Sequence, residues 1–276
     1  MSKKVKFCII LIIQTLTFTS CITNGTNPKY KLSEELQISK IKKDTYLVTH
    51  SYPWPANSLL VLMNSKYILW IDTPYTPEAT AQVLKWIDEE IGSGYSLVEI
   101  NTGFHIDNLG GNQELIKRNI PIYGSELTRQ LLDSNSASTM ADMHIWLQDE
   151  KYTKYRDVYS QFIFYKPTHT FDINIEQSIK LGKNEAIIYY PGPTHTYDNL
   201  VVYLPKQKIL FGGCMIFNAN AKKMGYVKDG NIEEWSKSLE YLKERFPDIK
   251  TVIPGHGSPG DSTLIAHTKE IIDASK

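Results

Sequence analysis

After a polar stretch over residues 24–35, apolar and polar positions alternate in short runs broken by glycine, proline and asparagine turns. Residues 36–51, 58–63 and 67–72 carry this two-residue period and read as a β-meander. The period then lengthens. Thr76 can cap a helix, Pro77 suits its first turn, and Val83, Leu84, Ile87 and Ile91 recur at helical spacing. A strand at 96–101, a helix at 111–118, a short strand at 121–123 and a helix at 126–132 follow, before a polar helical insertion over 140–161. A second β-rich block covers 162–165, 175–181, 186–190, 200–204 and 208–211. Asn231 with Glu234 three residues later opens another helix, whose buried stripe is Trp235, Leu239, Leu242 and Phe246. A strand at 251–254 and a helix at 264–274 complete the pattern. Two β-rich blocks, each with its own helices, predict an α/β architecture: a four-layer αβ/βα sandwich of two mixed β-sheets with outer helices.

The first residues break this pattern. Lys3, Lys4 and Lys6 precede an apolar run from Phe7 to Ile13 that fades by Ser20, the profile of a signal peptide; a retained anchor helix is the alternative, for which the run is short. Three segments are therefore expected: a signal peptide at 1–20, a linker at 21–35 and one large domain at 36–276. Phe18-Thr19-Ser20-Cys21 resembles a lipoprotein cleavage box, which makes Cys21 a candidate for lipid attachment and the protein periplasmic, with membrane attachment through that lipid. Of the 3 cysteines, only Cys214 then remains in the body, so no disulfide framework exists. With 30 basic and 30 acidic side chains, no field favours nucleic acid, and no nucleic-acid partner is expected.

Four clusters with metal-competent side chains sit just past predicted strands, where layered α/β folds place ligand-binding groups. They are Gly103-Phe104-His105-Ile106-Asp107, Pro193-Thr194-His195, Gly212-Gly213-Cys214 and Pro254-Gly255-His256-Gly257. Imidazole, thiolate and carboxylate together suit Zn²⁺ better than the hard cations. Singly, each cluster also has an ordinary structural explanation. His50, His144, His169 and His267 have no metal-competent neighbour at ligand spacing and are set aside.

Taken jointly, these residues resemble the metallo-β-lactamases. The resemblance rests on Gly103-Phe104-His105-Ile106-Asp107 followed by Leu109-Gly110-Gly111, on His195-Thr196-Tyr197-Asp198-Asn199, on Cys214 after two glycines, and on His256 between two glycines. It implies zinc-dependent hydrolysis of the amide bond of a small-molecule β-lactam substrate, carbapenems included, by a monomer holding one or two Zn²⁺ ions. A first site would use His105 and His195, and a second Asp107, Cys214 and His256. Asp107 would orient the nucleophile, His105 or Asp107 would serve as base in a one-zinc form, and Asn199 with Tyr226 would contact the tetrahedral intermediate. Cys214, and Asn108 after the motif aspartate, resemble lactamases rather than the glyoxalase-like and nuclease-like relatives.

Three departures matter. Gly103 stands where the family pattern has a first histidine, which implies a weakened first site. Phe217 stands where a carboxylate-binding lysine is usual, which leaves substrate recognition to Asn218, Asn220 or Lys222. The loop from Ser51 to Asn57 is short, and its Trp54 is a candidate pocket wall. The competing readings are another hydrolase of this fold, acting on a thioester, lactone or phosphodiester, and a zinc-binding lipoprotein without turnover.

Overall fold

The computed structural model describes residues 28–276, so the leader and Cys21 lie outside the described residues. An eight-stranded sheet runs in sequence order: β1 (Lys29–Lys31), β2 (Leu36–Lys42), β3 (Thr45–Ser51), β4 (Pro55–Leu62), β5 (Tyr67–Ile71), β6 (Ser96–Ile100), β7 (Ile122–Ser125) and β8 (His169–Phe171). Its first five strands pair antiparallel and its last three join in parallel. The second sheet holds β9 (Gln177–Leu181), β10 (Asn184–Tyr189), β11 (Val201–Leu204), β12 (Ile209–Gly213) and β13 (Thr251–Pro254), with only β12 and β13 parallel.

Alternation along the strands divides the apolar side chains between two faces. Leu59, Val61, Leu69 and Ile71 meet Ile188, Val202, Leu204 and Phe211 between the sheets. The opposite face of the first sheet, with Ile38, Val48, Leu60 and Trp70, is covered by α1 (Pro77–Trp86) and α3 (Asn112–Lys117). The opposite face of the second, with Tyr203, Leu210 and Val252, is covered by α6 (Ile232–Arg245) and α7 (Thr263–Asp273). This is the four-layer αβ/βα sandwich that the pattern predicts. The expected caps also form: Thr76 accepts from the Ala79 N–H at 3.2 Å, and Asn231 from that of Glu234 at 3.2 Å.

Two expectations change. Residues 126–132 and the start of the insertion form one 21-residue helix, α4 (Glu126–Trp146), rather than two pieces. Within its polar middle the Ser134 and Thr139 hydroxyls bond back to the carbonyls of Gln130 and Asn135 rather than capping a break. Residues 162–165 form no strand; Phe162 and Phe164 instead pack with Tyr52, Met143 and Tyr159 under the insertion, which ends in α5 (Thr153–Tyr159).

The two sheets are also joined by a polar clamp. The buried Asn57 of β4 donates to Pro254 O at 2.9 Å and Gly257 O at 2.7 Å and accepts from Thr49 at 3.0 Å, while its backbone N–H bonds Gly255 O at 2.8 Å. Asn57→Ala leaves two carbonyls without a donor and is expected to cost about 1–3 kcal/mol, read from the denaturant midpoint at constant m-value.

Candidate metal centre

Strand β6 ends at Ile100, and the loop beyond it leads through His105 into the one-turn helix α2 (Ile106–Leu109), whose first turn carries Asp107. A buried acid holds this loop in place. Asp72, at the end of β5, accepts from the Thr102 N–H at 2.7 Å, the Thr102 hydroxyl at 2.7 Å and the Asn108 amide at 2.9 Å. Burial pushes its carboxyl up to about 8 although all three donors favour the anion. Cys214 follows β12 and His256 follows β13, and because these strands run parallel, both side chains emerge at the same end of the sheet. Their loops touch: the Gly255 N–H bonds Gly213 O at 2.6 Å, and a Cβ at Gly255 would lie 2.9 Å from Cys214 Sγ, so only glycine fits there.

The donor atoms of Asp107, Cys214 and His256 all lie within 4.8 Å of one another. Cys214 Sγ is 3.3 Å from Asp107 Oδ2 and 3.6 Å from His256 Nε2, and His256 Nε2 is 3.2 Å from Asp107 Oδ2. Ligand bonds of about 2.0–2.3 Å at tetrahedral angles give edges of roughly 3.3–3.6 Å, so the triangle fits one face of a zinc tetrahedron, and oxygen, sulfur and nitrogen suit that ion. His256 Nδ1 faces Pro55 O at 2.8 Å, so donating there leaves Nε2 with its lone pair toward the triangle. Burial opposes charge on Asp107, but the His256 hydrogen bond and the charges of His256, His105 and His195 hold its carboxyl well below the usual range. Burial, with Asp107 and Asp72 nearby, pushes the Cys214 thiol well up. Burial lowers His256 too, yet the bond to Asp107 outweighs it and raises the imidazole.

His105 and His195 stand beside this triangle with ring centroids 5.1 Å apart, nearly perpendicular. Burial and the neighbouring His105 lower His195 to about 3, so it is a neutral lone-pair donor at neutral pH. His105 Nε2 bonds Asp229 Oδ2 at 2.9 Å with both side chains buried. Opposite them, Gly103 offers no ligand. A Cβ there would meet Asn108 Oδ1 at 3.1 Å and Thr196 Oγ1 at 3.5 Å, and among the described residues the Thr196 hydroxyl and both oxygens of the buried Asp198 have no hydrogen-bond partner. Burial raises Asp198, tempered by the nearby Thr196 and Thr128 hydroxyls. The Thr196 hydroxyl thus lies where the motif lacks its imidazole.

A cavity of about 480 Å³ opens over the triangle, lined by His105, Asp107, His195, Cys214 and His256 together with Trp54, Ile106, Met143, Trp146, Phe217 and Tyr226. All five expected metal ligands therefore face one pocket. Trp54, Phe217 and Asn218 also line it, although the Asn218 amide is engaged by His256 O at 3.1 Å and the Asn220 N–H at 2.9 Å. Three expected roles need correction. Asn199 points inward, its amide bonding Leu200 O at 3.1 Å, so it does not reach a substrate. Asn220 and Lys222 are exposed outside the lining, so neither provides a pocket donor. Tyr226 lines the pocket with its ring, but its hydroxyl is turned to Asp142 and Asp229 at 2.9 and 3.0 Å rather than to an intermediate. Met143 and Trp146 were hidden in a polar insertion whose helical phase was not legible, and Asp229 gave no spacing signal.

Residues 100–256 match the profile described as the metallo-beta-lactamase superfamily. The chain is 36% identical over 215 residues to a metallo-beta-lactamase type 2 of Pseudomonas aeruginosa, covering 78% of this chain and 72% of that one. It is 28% identical over 277 residues to one from Elizabethkingia meningoseptica, covering 99% and 96%. Among solved structures it resembles a metallo-beta-lactamase from Pontibacter korlensis, with a TM-score of 0.72 and 30% identity over 87% of this chain and 99% of that one.

Zinc at the Asp107/Cys214/His256 triangle needs a thiolate and a neutral imidazole, whereas the free protein holds both groups protonated more tightly than usual. Binding is therefore expected to release about one to two protons per ion, so affinity climbs as pH rises through neutrality. Chelator competition at several pH values checks this, and a flat profile would exclude Cys214 as ligand. Gly103→His requires Asn108 to yield by a few tenths of an ångström; it is expected to tighten binding at the His105/His195 site by about tenfold or more, read by the same competition as a second bound ion.

Proposed function

Since the chain belongs to the metallo-β-lactamase superfamily, we propose that it is a zinc-dependent β-lactam hydrolase in which the Asp107/Cys214/His256 site fills first. The observation that carries this reading is the closed triangle of donor atoms at the floor of an apolar cavity. Zinc bound there would supply Lewis acidity, polarising the lactam carbonyl and bringing a water's pKa toward about 7.

The chain's own groups do the rest. Asp107, held as an anion, accepts a hydrogen bond from the attacking water and fixes its direction. Neutral His195 presents a lone pair beside it, with the His105 ring 5.1 Å away, to a second ion or to the water's proton. The low count of imidazoles at Gly103 makes the two-histidine site the weaker one. Trp54, Ile106, Met143, Trp146 and Phe217 exclude water and strengthen every electrostatic interaction inside the cavity. No lysine or arginine is among the lining residues, so the substrate carboxylate meets no protein cation in the cavity. We also infer export, with residues 1–20 as leader and Cys21 as the mature terminus, periplasmic and lipid-anchored as a monomer. The charged start, short apolar run and Ser20-Cys21 support that reading, and the mass of the mature N-terminus tests it.

Hydrolysis of a penicillin, a cephalosporin and a carbapenem by the purified protein as zinc is titrated tests the assignment. Turnover is expected to saturate with the first equivalent. Tight zinc without hydrolysis of any of the three would leave a metal-binding protein of this fold. Cys214→Ser is expected to lose tight zinc and lower kcat/KM on the order of a hundredfold or more, beyond the ~10–100-fold that removing an outer partner of a ligand costs. Wild-type zinc content and turnover in that variant would overturn the site.

A further inference from the structure

Four side chains form a continuous polar path from the insertion helix to the two-histidine site. Lys228 Nζ lies 2.7 Å from Asp142 Oδ2, the Tyr226 hydroxyl lies 2.9 Å from that same oxygen and 3.0 Å from Asp229 Oδ2, and Asp229 Oδ2 lies 2.9 Å from His105 Nε2. Asp142 belongs to α4, while Tyr226, Lys228 and Asp229 belong to the loop before α6. The rings reinforce the join, because Trp146 of α4 meets the Tyr226 ring edge-on at 4.8 Å.

The proton count orders this path. A phenol carries one hydrogen, and two carboxylates compete for it. Asp142 is already satisfied by the Lys228 ammonium and partly meets solvent, whereas the Asp229 side chain is 5% exposed and, among the described residues, has only His105 and Tyr226 as side-chain donors. A buried carboxylate loses most when a donor is missing, so the Tyr226 hydrogen goes to Asp229. Asp229, being an acceptor only, then requires the His105 proton on Nε2, which leaves Nδ1 as the nitrogen with a free lone pair.

We propose that Tyr226 is a positioning residue: through Asp229 it holds His105 as its Nε2–H tautomer, and the loop before α6 thereby sets how well the two-histidine site binds a metal ion. The inference rests on reading His105 and His195 as metal ligands. Its first claim concerns a hydrogen bond that exists without metal and can be tested whether or not the protein hydrolyses a lactam.

Two readouts test it on the full mature chain. In the metal-free protein, long-range proton–nitrogen NMR of the His105 ring should show Nε2–H with its proton protected from exchange. Tyr226→Phe keeps the ring and its packing on Trp146 and should lose that protection, whereas Asp142→Asn, which removes the competing acceptor, should keep it. The second readout is zinc affinity by chelator competition. Tyr226→Phe should weaken the two-histidine site about threefold to tenfold, less than the ~10–100-fold typical of removing a direct partner of a ligand, with the Asp107/Cys214/His256 site unchanged. A merely structural role would weaken both sites together. An Nδ1–H tautomer in the wild type, or protection and affinity unchanged in Tyr226→Phe, overturns the proposal. Absence of lactam hydrolysis with a protected Nε2–H would instead count against the functional reading alone.

Discussion

Everything at the open end of the sandwich depends on one buried carboxyl group. Asp72 ties the end of β5 to the loop after β6 through both the backbone and the hydroxyl of Thr102, and to α2 through Asn108. That loop and that helix carry His105 and Asp107, and the same Asn108 amide lies 3.9 Å from Cys214 Sγ. A group so deeply buried is stable only because every donor around it is committed, which leaves the loop one arrangement rather than several. The rigidity of the metal triangle therefore derives from an acid that takes no part in binding the ion.

The apolar period made the layers legible, because a half-buried strand and an amphipathic helix leave different spacings in the chain. Strand β13 and the caps Thr76 and Asn231 lie where the pattern puts them. The candidate clusters share one pocket for a related reason: His105, His195, Cys214 and His256 follow strands, and parallel strands deliver their ends to one edge. The rest depends on side-chain direction. Asn199 sits next to a strand like the ligands do, yet its amide turns inward to Leu200 O, and no spacing rule distinguishes the two directions. Asp229 is legible only through its contact with His105, which lies 124 positions away in the chain.

The insertion changes the character of the pocket more than any single ligand does. Without α4, the triangle would lie at the rim of two sheets. With it, Met143 and Trp146 join Trp54 and Phe217 in the lining, Trp146 meeting Trp54 edge-on at 6.1 Å, and charge inside acts through a medium less polarisable than water. The absence of a lining cation fits that design, since an unpaired ammonium would be costly there. Selectivity then falls to shape and to the ion, and less to charge pairing with the substrate.

The unpaired thiol has a consequence beyond ligation. The thiolate is the form that attacks oxidants and disulfides, and Cys214 in the metal-free protein is 5% exposed and held as thiol by its burial and two acidic neighbours. The desolvation that makes it a reluctant ligand also makes it a poor target for sulfenic acid formation or mixed disulfides. A chain starved of zinc in an oxidising compartment would thus keep its sulfur reduced and wait for the ion, rather than being spent by its surroundings.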